Sequence, residues 1–204
     1  MKYSREYILR NAFDVFMTKG YDSASISVLQ KELNMSRGVL YRYFESKEEL
    51  FLAVIDEYFF KVYDRISQNV DVQKTTETFI ETMHRRQKLM ATVFIKSGVT
   101  HIAFLNYTAL IIQAAKHYPN FVTRFKEIYS RIVNNWEIVL KNSIESKEIR
   151  ADIDIKIMST LFVNACLKET SDQDFDESKF ALDIMRDIDR RKEVMDYLFT
   201  LIKV

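Results

Sequence analysis

Three glycines and one proline in 204 residues limit what this chain can fold into. Average usage of ~7% and ~5% would supply roughly 14 and 10. Tight hairpins need residues that accept positive φ or pre-set a turn, so a chain this short of them cannot close a β-sandwich or barrel. Gly20, Gly38 and Gly98 also stand too far apart for a phosphate-cradling loop or a dinucleotide-binding glycine pattern. The chain is 48% hydrophobic, with 15 Phe and 11 Tyr, so a sizeable core is available. The hydrophobic period predicts an all-α fold of about nine helices.

Thirty basic and 29 acidic residues leave a net charge of +1, and residues 1–50 hold eight basic and seven acidic ones. Nucleic-acid binding therefore has to come from a local arrangement and not from bulk charge. The single cysteine, Cys166, excludes an intramolecular disulfide and fits a reducing compartment. The first residues alternate charged and apolar side chains, unlike a signal peptide. The longest apolar run, Ile102–Ile112, is interrupted by Asn106 and is too short to span a bilayer. A cytoplasmic protein without membrane contact is expected.

Apolar residues Ile8, Leu9, Ala12, Phe13 and Phe16 share one helical face, and Gly20 is placed to end that helix. A short helix over 26–33 follows, capped by Ser25 or by Ser27 with Gln30. Asn34 suits a left-handed turn, and Ser36 can cap a helix through Phe44. Ser46 with Glu49 forms a capping box that opens a long helix to Gln68. Further helices are predicted over 75–88, 89–97, 103–117, 119–146, 154–170 and 178–204, with Pro119 in a first turn and 171–178 as a loop.

The segment from Ser25 to Lys47 is a helix-turn-helix. Its apolar residues can pack inward, leaving Arg37, Gly38, Val39, Arg42 and Tyr43 toward solvent on the second helix, with Tyr41 at its edge. An arginine can pair with guanine, valine can touch a thymine methyl, and glycine permits close approach to a base pair. Tyr41, Lys47 and the hydroxyls of Ser25, Ser27 and Ser36 suit phosphates.

This stretch resembles the DNA-binding domain of the tetracycline-repressor (TetR) family. The family pattern runs roughly T-x-x-x-I-A-x-x-A-G-V-S-x-G-x-x-Y-x-x-F-x-x-K-x-x-L. Ser36, Gly38, Tyr41, Phe44, Lys47 and Leu50 match it outright, Leu29 stands for the Ile and Met35 for the Val. Gln30, Leu33 and Asn34 depart from the family's Ala, Ala and Gly. The resemblance covers residues 4–60, with a weaker echo of the family's G-x-[IL]-R-x-D-x-D in residues 147–154. It implies a DNA-binding domain over 1–48 and a helical ligand-binding and dimerisation domain over 49–204. It also implies a homodimer on a palindromic double-stranded operator, and a repressor released by a small-molecule effector. Dimerisation would use the last two long helices, where Phe180, Ile184, Ile188, Met195, Leu198, Phe199 and Ile202 form an apolar stripe.

Phe79, Met83, Phe94, Phe104, Tyr107, Tyr129 and Trp136 read as core packing at helical spacing. The family resemblance offers an alternative, a mainly apolar effector cavity in which Asn106, Gln113 and Asn134 orient the ligand. Glu81 and His84 form one E-x-x-H without the second copy a di-iron bundle requires, and no nucleophile motif is present. No enzyme, cofactor or metal is expected. The competing hypothesis is a small helical carrier or enzyme that binds an apolar molecule without DNA.

Overall fold

Ser4 opens the first helix by accepting the Tyr7 amide on its hydroxyl at 3.0 Å. In the computed structural model, which describes residues 3–96, 101–165 and 179–204, α1 spans Arg5–Ser23. Its buried stripe is Ile8, Leu9, Ala12, Val15 and Phe16. Gly20 kinks it at φ 74° and ψ 165°, a region essentially restricted to glycine. A Cβ at this position would meet nothing within 4 Å, so the backbone conformation alone demands glycine. The helix resumes for a last turn, and Gly20 is a kink where an end was expected.

Ser25 caps α2 (Ile26–Glu32), accepting the Val28 amide at 3.3 Å. Asn34 takes the expected left-handed conformation at φ 50°. The next helix, α3 (Arg37–Leu40), is a single turn. Backbone bonds from Tyr43 N and Phe44 N to the Leu40 carbonyl, 3.0 and 3.2 Å, carry the winding on to Phe44. Ser36 stands at its N-cap without a side-chain capping bond. The Ser46 hydroxyl accepts the Glu49 amide at 3.0 Å and starts α4 (Lys47–Ile55). Glu49 reaches back one residue further than a capping box requires, to the Glu45 amide at 2.6 Å. The helix expected to continue unbroken to Gln68 instead passes through a π turn at Asp56–Phe60 before α5 (Lys61–Gln68). Phe59 and Phe60, adjacent in sequence, are both buried there.

The chain forms two compact units, Met1–Gln68 with Ile102–Lys126, and Asn69–His101 with Glu127–Val204. The first adds α7 (His101–His117) and the beginning of α8 (Phe121–Glu145) to the N-terminal helices. Asn120 turns the chain at φ 59°, so Pro119 precedes α8 and does not sit in its first turn.

The second unit contains α6 (Thr76–Lys96), the rest of α8, α9 (Ile155–Ala165) and α10 (Phe180–Ile202). No break divides α6 near residue 88. Trp136 is edge-on to Phe79 with ring centroids 4.7 Å apart and stacks on Phe162 at 4.5 Å. At the start of α6 the Ser143 hydroxyl accepts the Thr76 amide at 2.7 Å and donates to the Val139 carbonyl at 3.0 Å. The Arg150 amide donates to the Ile202 carbonyl at 2.8 Å and the Val204 amide to the Glu148 carbonyl at 3.2 Å. The 147–154 phrase thus zips the chain's end to the turn after α8. Residues 166–178, with Cys166 and the expected loop, lie outside the described residues.

The expected dimer stripe has to be corrected. Met195, Phe199 and Ile202 are buried in the unit's own core, and half-buried Leu198 packs against the same cluster. α10 lies along α6, which takes up that face. Ile184 is half-buried, and the Phe180 side chain lies outside the described residues. The apolar residues that do face outward are Leu182, Tyr197 and Leu201 on α10 and Ile157 and Leu161 on α9.

Candidate nucleic-acid interface

Leu29, Leu33, Met35, Leu40 and Phe44 are all at most 5% exposed, and their burial decides which side chains of the helix-turn-helix remain outside. Ser25, Ser27, Ser36, Arg37, Gly38, Tyr41 and Arg42 are exposed, while Val39, Tyr43 and Lys47 are half-buried. The two serine hydroxyls at the start of α2 lie 2.8 Å apart. The Arg37 guanidinium stands over the Tyr41 ring, 5.4 Å from its centroid, one helical turn away.

Gly38 carries the clearest signal. Its backbone is not in the positive-φ region, and a Cβ would meet no atom of this chain within 4 Å. Neither conformation nor packing asks for glycine here. A bare backbone facing open space on the recognition turn is what close approach to another molecule requires.

Lys47 and Tyr43 are engaged with residues outside the helix-turn-helix. The Lys47 ammonium lies 4.1 Å from the Tyr21 ring centroid and donates to the Asp22 carbonyl at 3.4 Å, at the end of α1. Burial pushes its pKa below the ordinary lysine value, with Asp22 acting the other way. The Tyr43 hydroxyl donates to the Tyr3 carbonyl at 2.5 Å. Tyr3 was invisible in the sequence, because nothing in the spacing brings residue 3 beside residue 43. Gln30 does not form a capping box with Ser27, because Ser25 is the N-cap of α2; its Nε2 is buried and has no partner among the described residues.

The residues expected around an effector fall in both units. Phe79, Met83 and Trp136 come together in the core of the second, and Asn134 is exposed there. In the first, Asn106 donates to the Met17 carbonyl, Gln113 to Asp22 Oδ2 at 3.5 Å, and the Tyr107 hydroxyl to the Tyr58 carbonyl at 3.4 Å. Burial pushes the Tyr107 phenol well above its usual pKa. The side chains of Phe94 and Phe104 lie outside the described residues. A cleft of about 290 Å³ in the second unit is lined by other residues, among them Leu161, Asn164, Arg191 and Leu198. Glu81 and His84 are spent on α10, pairing with Lys192 at 2.9 Å and Asp189 at 2.7 Å.

Residues 8–54 match the family model described as bacterial regulatory proteins, tetR family. The uncharacterized HTH-type transcriptional regulator YuxN of Bacillus subtilis is 33% identical over 125 residues, which is 57% of this chain and 40% of that protein. This chain therefore aligns with less than half of YuxN's length. The fatty acid metabolism regulator protein of the same organism is 22% identical over 74% of this chain and 73% of its own length. In structure, a TetR transcription regulator from Haloarcula marismortui superimposes with a TM-score of 0.67 at 13% identity, covering 98% of this chain and 97% of the other. Residues 8–54 thus carry the DNA-binding motif of the tetR family of bacterial regulatory proteins, and the chain shares the fold of the compared TetR regulator.

Proposed function

We propose that this protein is a cytoplasmic transcriptional repressor that reads a palindromic operator as a homodimer and leaves it on binding a small, mainly apolar effector. In this reading residues 1–48 recognise DNA, while residues 49–204 dimerise and sense the effector. Ser25, Ser27, Ser36, Tyr41 and Lys47 contact phosphates, and Arg37, Gly38, Val39, Arg42 and Tyr43 meet the major groove. The observation that carries the DNA half is Gly38, bare where the protein's own structure has no use for a glycine. The match of residues 8–54 to the tetR family supports the same reading, since that family's proteins are regulators.

Selection of bound sequences from random double-stranded DNA tests it. The expected result is an enriched inverted repeat, because each head of a two-fold dimer reads one half-site. Affinity should fall steeply with salt as phosphate counterions are released. A pool that shows no enrichment and no salt-dependent binding would return the chain to the class of apolar-ligand carriers. Trp136, the single tryptophan, reports on the sensing half. A compound that releases the operator should change its fluorescence over the same concentration range, and operator DNA should weaken that compound's binding by the same factor. Release without that reciprocity counts against an effector site.

A further inference from the structure

We infer that Tyr3 is a positioning residue for DNA recognition, holding the recognition turn at both ends. The inference rests on the DNA-binding role proposed above and assigns a residue outside the helix-turn-helix to it. The Tyr3 hydroxyl donates to the Asn34 carbonyl at 2.9 Å, and the Tyr3 carbonyl accepts the Tyr43 hydroxyl at 2.5 Å. One residue thus bridges the left-handed turn before α3 and the end of the winding after it. Two residues further on, the Arg5 guanidinium lies 4.7 Å from the centroid of the Phe44 ring. Three points of the 34–44 segment are therefore held by residues 3 and 5.

The recognition segment needs such help. A single helical turn is far below the length at which a helix sustains itself. Ser36 adds no side-chain cap. Its apolar residues, Met35, Leu40 and Phe44, anchor one face by burial, which fixes depth but is non-directional. Hydrogen bonds at the two ends supply the direction. The Tyr43 hydroxyl also acquires a defined role. A phosphate oxygen can only accept, and the Tyr43 proton already lies on the Tyr3 carbonyl. Tyr43 therefore meets DNA through its ring, and its hydroxyl serves the orientation of the segment.

The test uses the full chain with Tyr3→Phe and Tyr43→Phe, and as probes the double-stranded sequence the unaltered protein selects and a scrambled duplex of equal length. Each variant should bind the selected sequence about five-fold more weakly, the scale of one net hydrogen bond. Binding of Tyr3→Phe to the scrambled duplex and its salt slope should not change, and amide exchange over residues 35–44 should quicken in both variants. Equal losses on both duplexes with a shallower salt slope would mean the two hydroxyls touch phosphate, which overturns the inference. Unchanged selectivity in both variants overturns it as well. If the unaltered protein selects no sequence, the DNA-binding reading fails by itself. Amide exchange then still decides whether Tyr3 holds the segment, since unchanged exchange in Tyr3→Phe rejects it.

Discussion

The Arg124 guanidinium sits 2.5 Å from Oδ1 of Asp56, so the first turn of α8 is fastened to the first residue of the π turn. The Tyr118 hydroxyl accepts from the same Arg124 nitrogen at 2.6 Å and donates to Asp56 at 3.2 Å. The guanidinium also lies over the Phe60 ring at 4.4 Å, with Asp64 3.9 Å away on the other nitrogen. A π turn widens the helix by one residue, and wide turns persist where side chains hold them. Here one arginine ties together both ends of the turn.

Replacing Arg124 by Met keeps the side chain's packing on Phe60 and removes the charge. It should cost ~1–2 kcal/mol in urea unfolding, between the value of a charged hydrogen bond and that of an exposed ion pair. Asp56→Asn should cost less, because the amide still accepts. The double variant should cost less than the sum of the two, since the residues act through one contact. Strict additivity would show that the clamp contributes nothing.

Two glycines should separate folding from binding. Gly20→Ala forces a side chain into the positive-φ region and should destabilise by ~1–3 kcal/mol. Gly38→Ala meets no atom within 4 Å and gains helix propensity of up to ~1 kcal/mol. Its melting temperature should hold or rise while operator binding falls. An alanine at 38 that leaves binding intact would remove the groove assignment of this turn.

Much of this interface was legible in the sequence because its signals are local. The left-handed Asn34 and the Ser46 cap each depend on a residue type and its immediate neighbours, and both appear in the structure. The kink at Gly20 was read as a terminus, since a positive φ is common to both and only the chain beyond distinguishes them. The π turn had no local signal, and Arg124, which binds its first residue, lies 68 residues further on. The burial of Met195, Phe199 and Ile202 was likewise hidden. α10 carries apolar residues on two faces, and periodicity cannot say which one α6 covers. Tyr3 was missed for the same reason as the π turn.

Arg37 and Lys47 should fail differently. Arg37→Ala should cost ~1–3 kcal/mol per half-site and relax preference at one base position. Lys47→Ala should weaken binding to all sequences alike and flatten the salt slope by about one unit per half-site. If Lys47 keeps its place on the Tyr21 ring and the Asp22 carbonyl when DNA binds, the slope will not change and the alanine will act only on stability.

Two carboxylates between α6 and α10 contribute to how the second unit responds to acid. Asp189 has its pKa lowered by hydrogen bonds from Lys88 and His84, and Glu81 by its bond from Lys192. A folded pKa below the unfolded one means stability that is present above the unfolded value, about 4, and lost as pH falls through the folded value. Asp189→Asn should therefore lower stability at neutral pH and flatten its decline below about pH 4. An acid limb with unaltered slope would show that Asp189 is no more tightly held in the folded chain than in the unfolded one.

Tyr197 and Phe199 lie two residues apart on α10 and should report opposite things. Phe199 is 5% exposed and Met195, one turn before it, is fully buried. A glutamate at 199 would replace the buried ring with a charge, offset in part by Lys203, whose ammonium lies 5.2 Å from that ring, and the second unit should lose several kcal/mol. Tyr197 is 65% exposed and Leu201, one turn on, 50%, while α9 turns Ile157 and Leu161 outward at 60% and 41%. These are four large apolar side chains left exposed on two helices that pack together, and two-fold self-association through α10 would cover its share of them. Tyr197→Glu and Leu201→Glu should retain the helical circular dichroism of the unaltered chain and shift its mass by light scattering from about twice 24.3 kDa to 24.3 kDa. Selected DNA should then be bound with lost half-site cooperativity, because each head reads alone. A Tyr197→Glu/Leu201→Glu chain that still measures as a dimer would place the interface elsewhere.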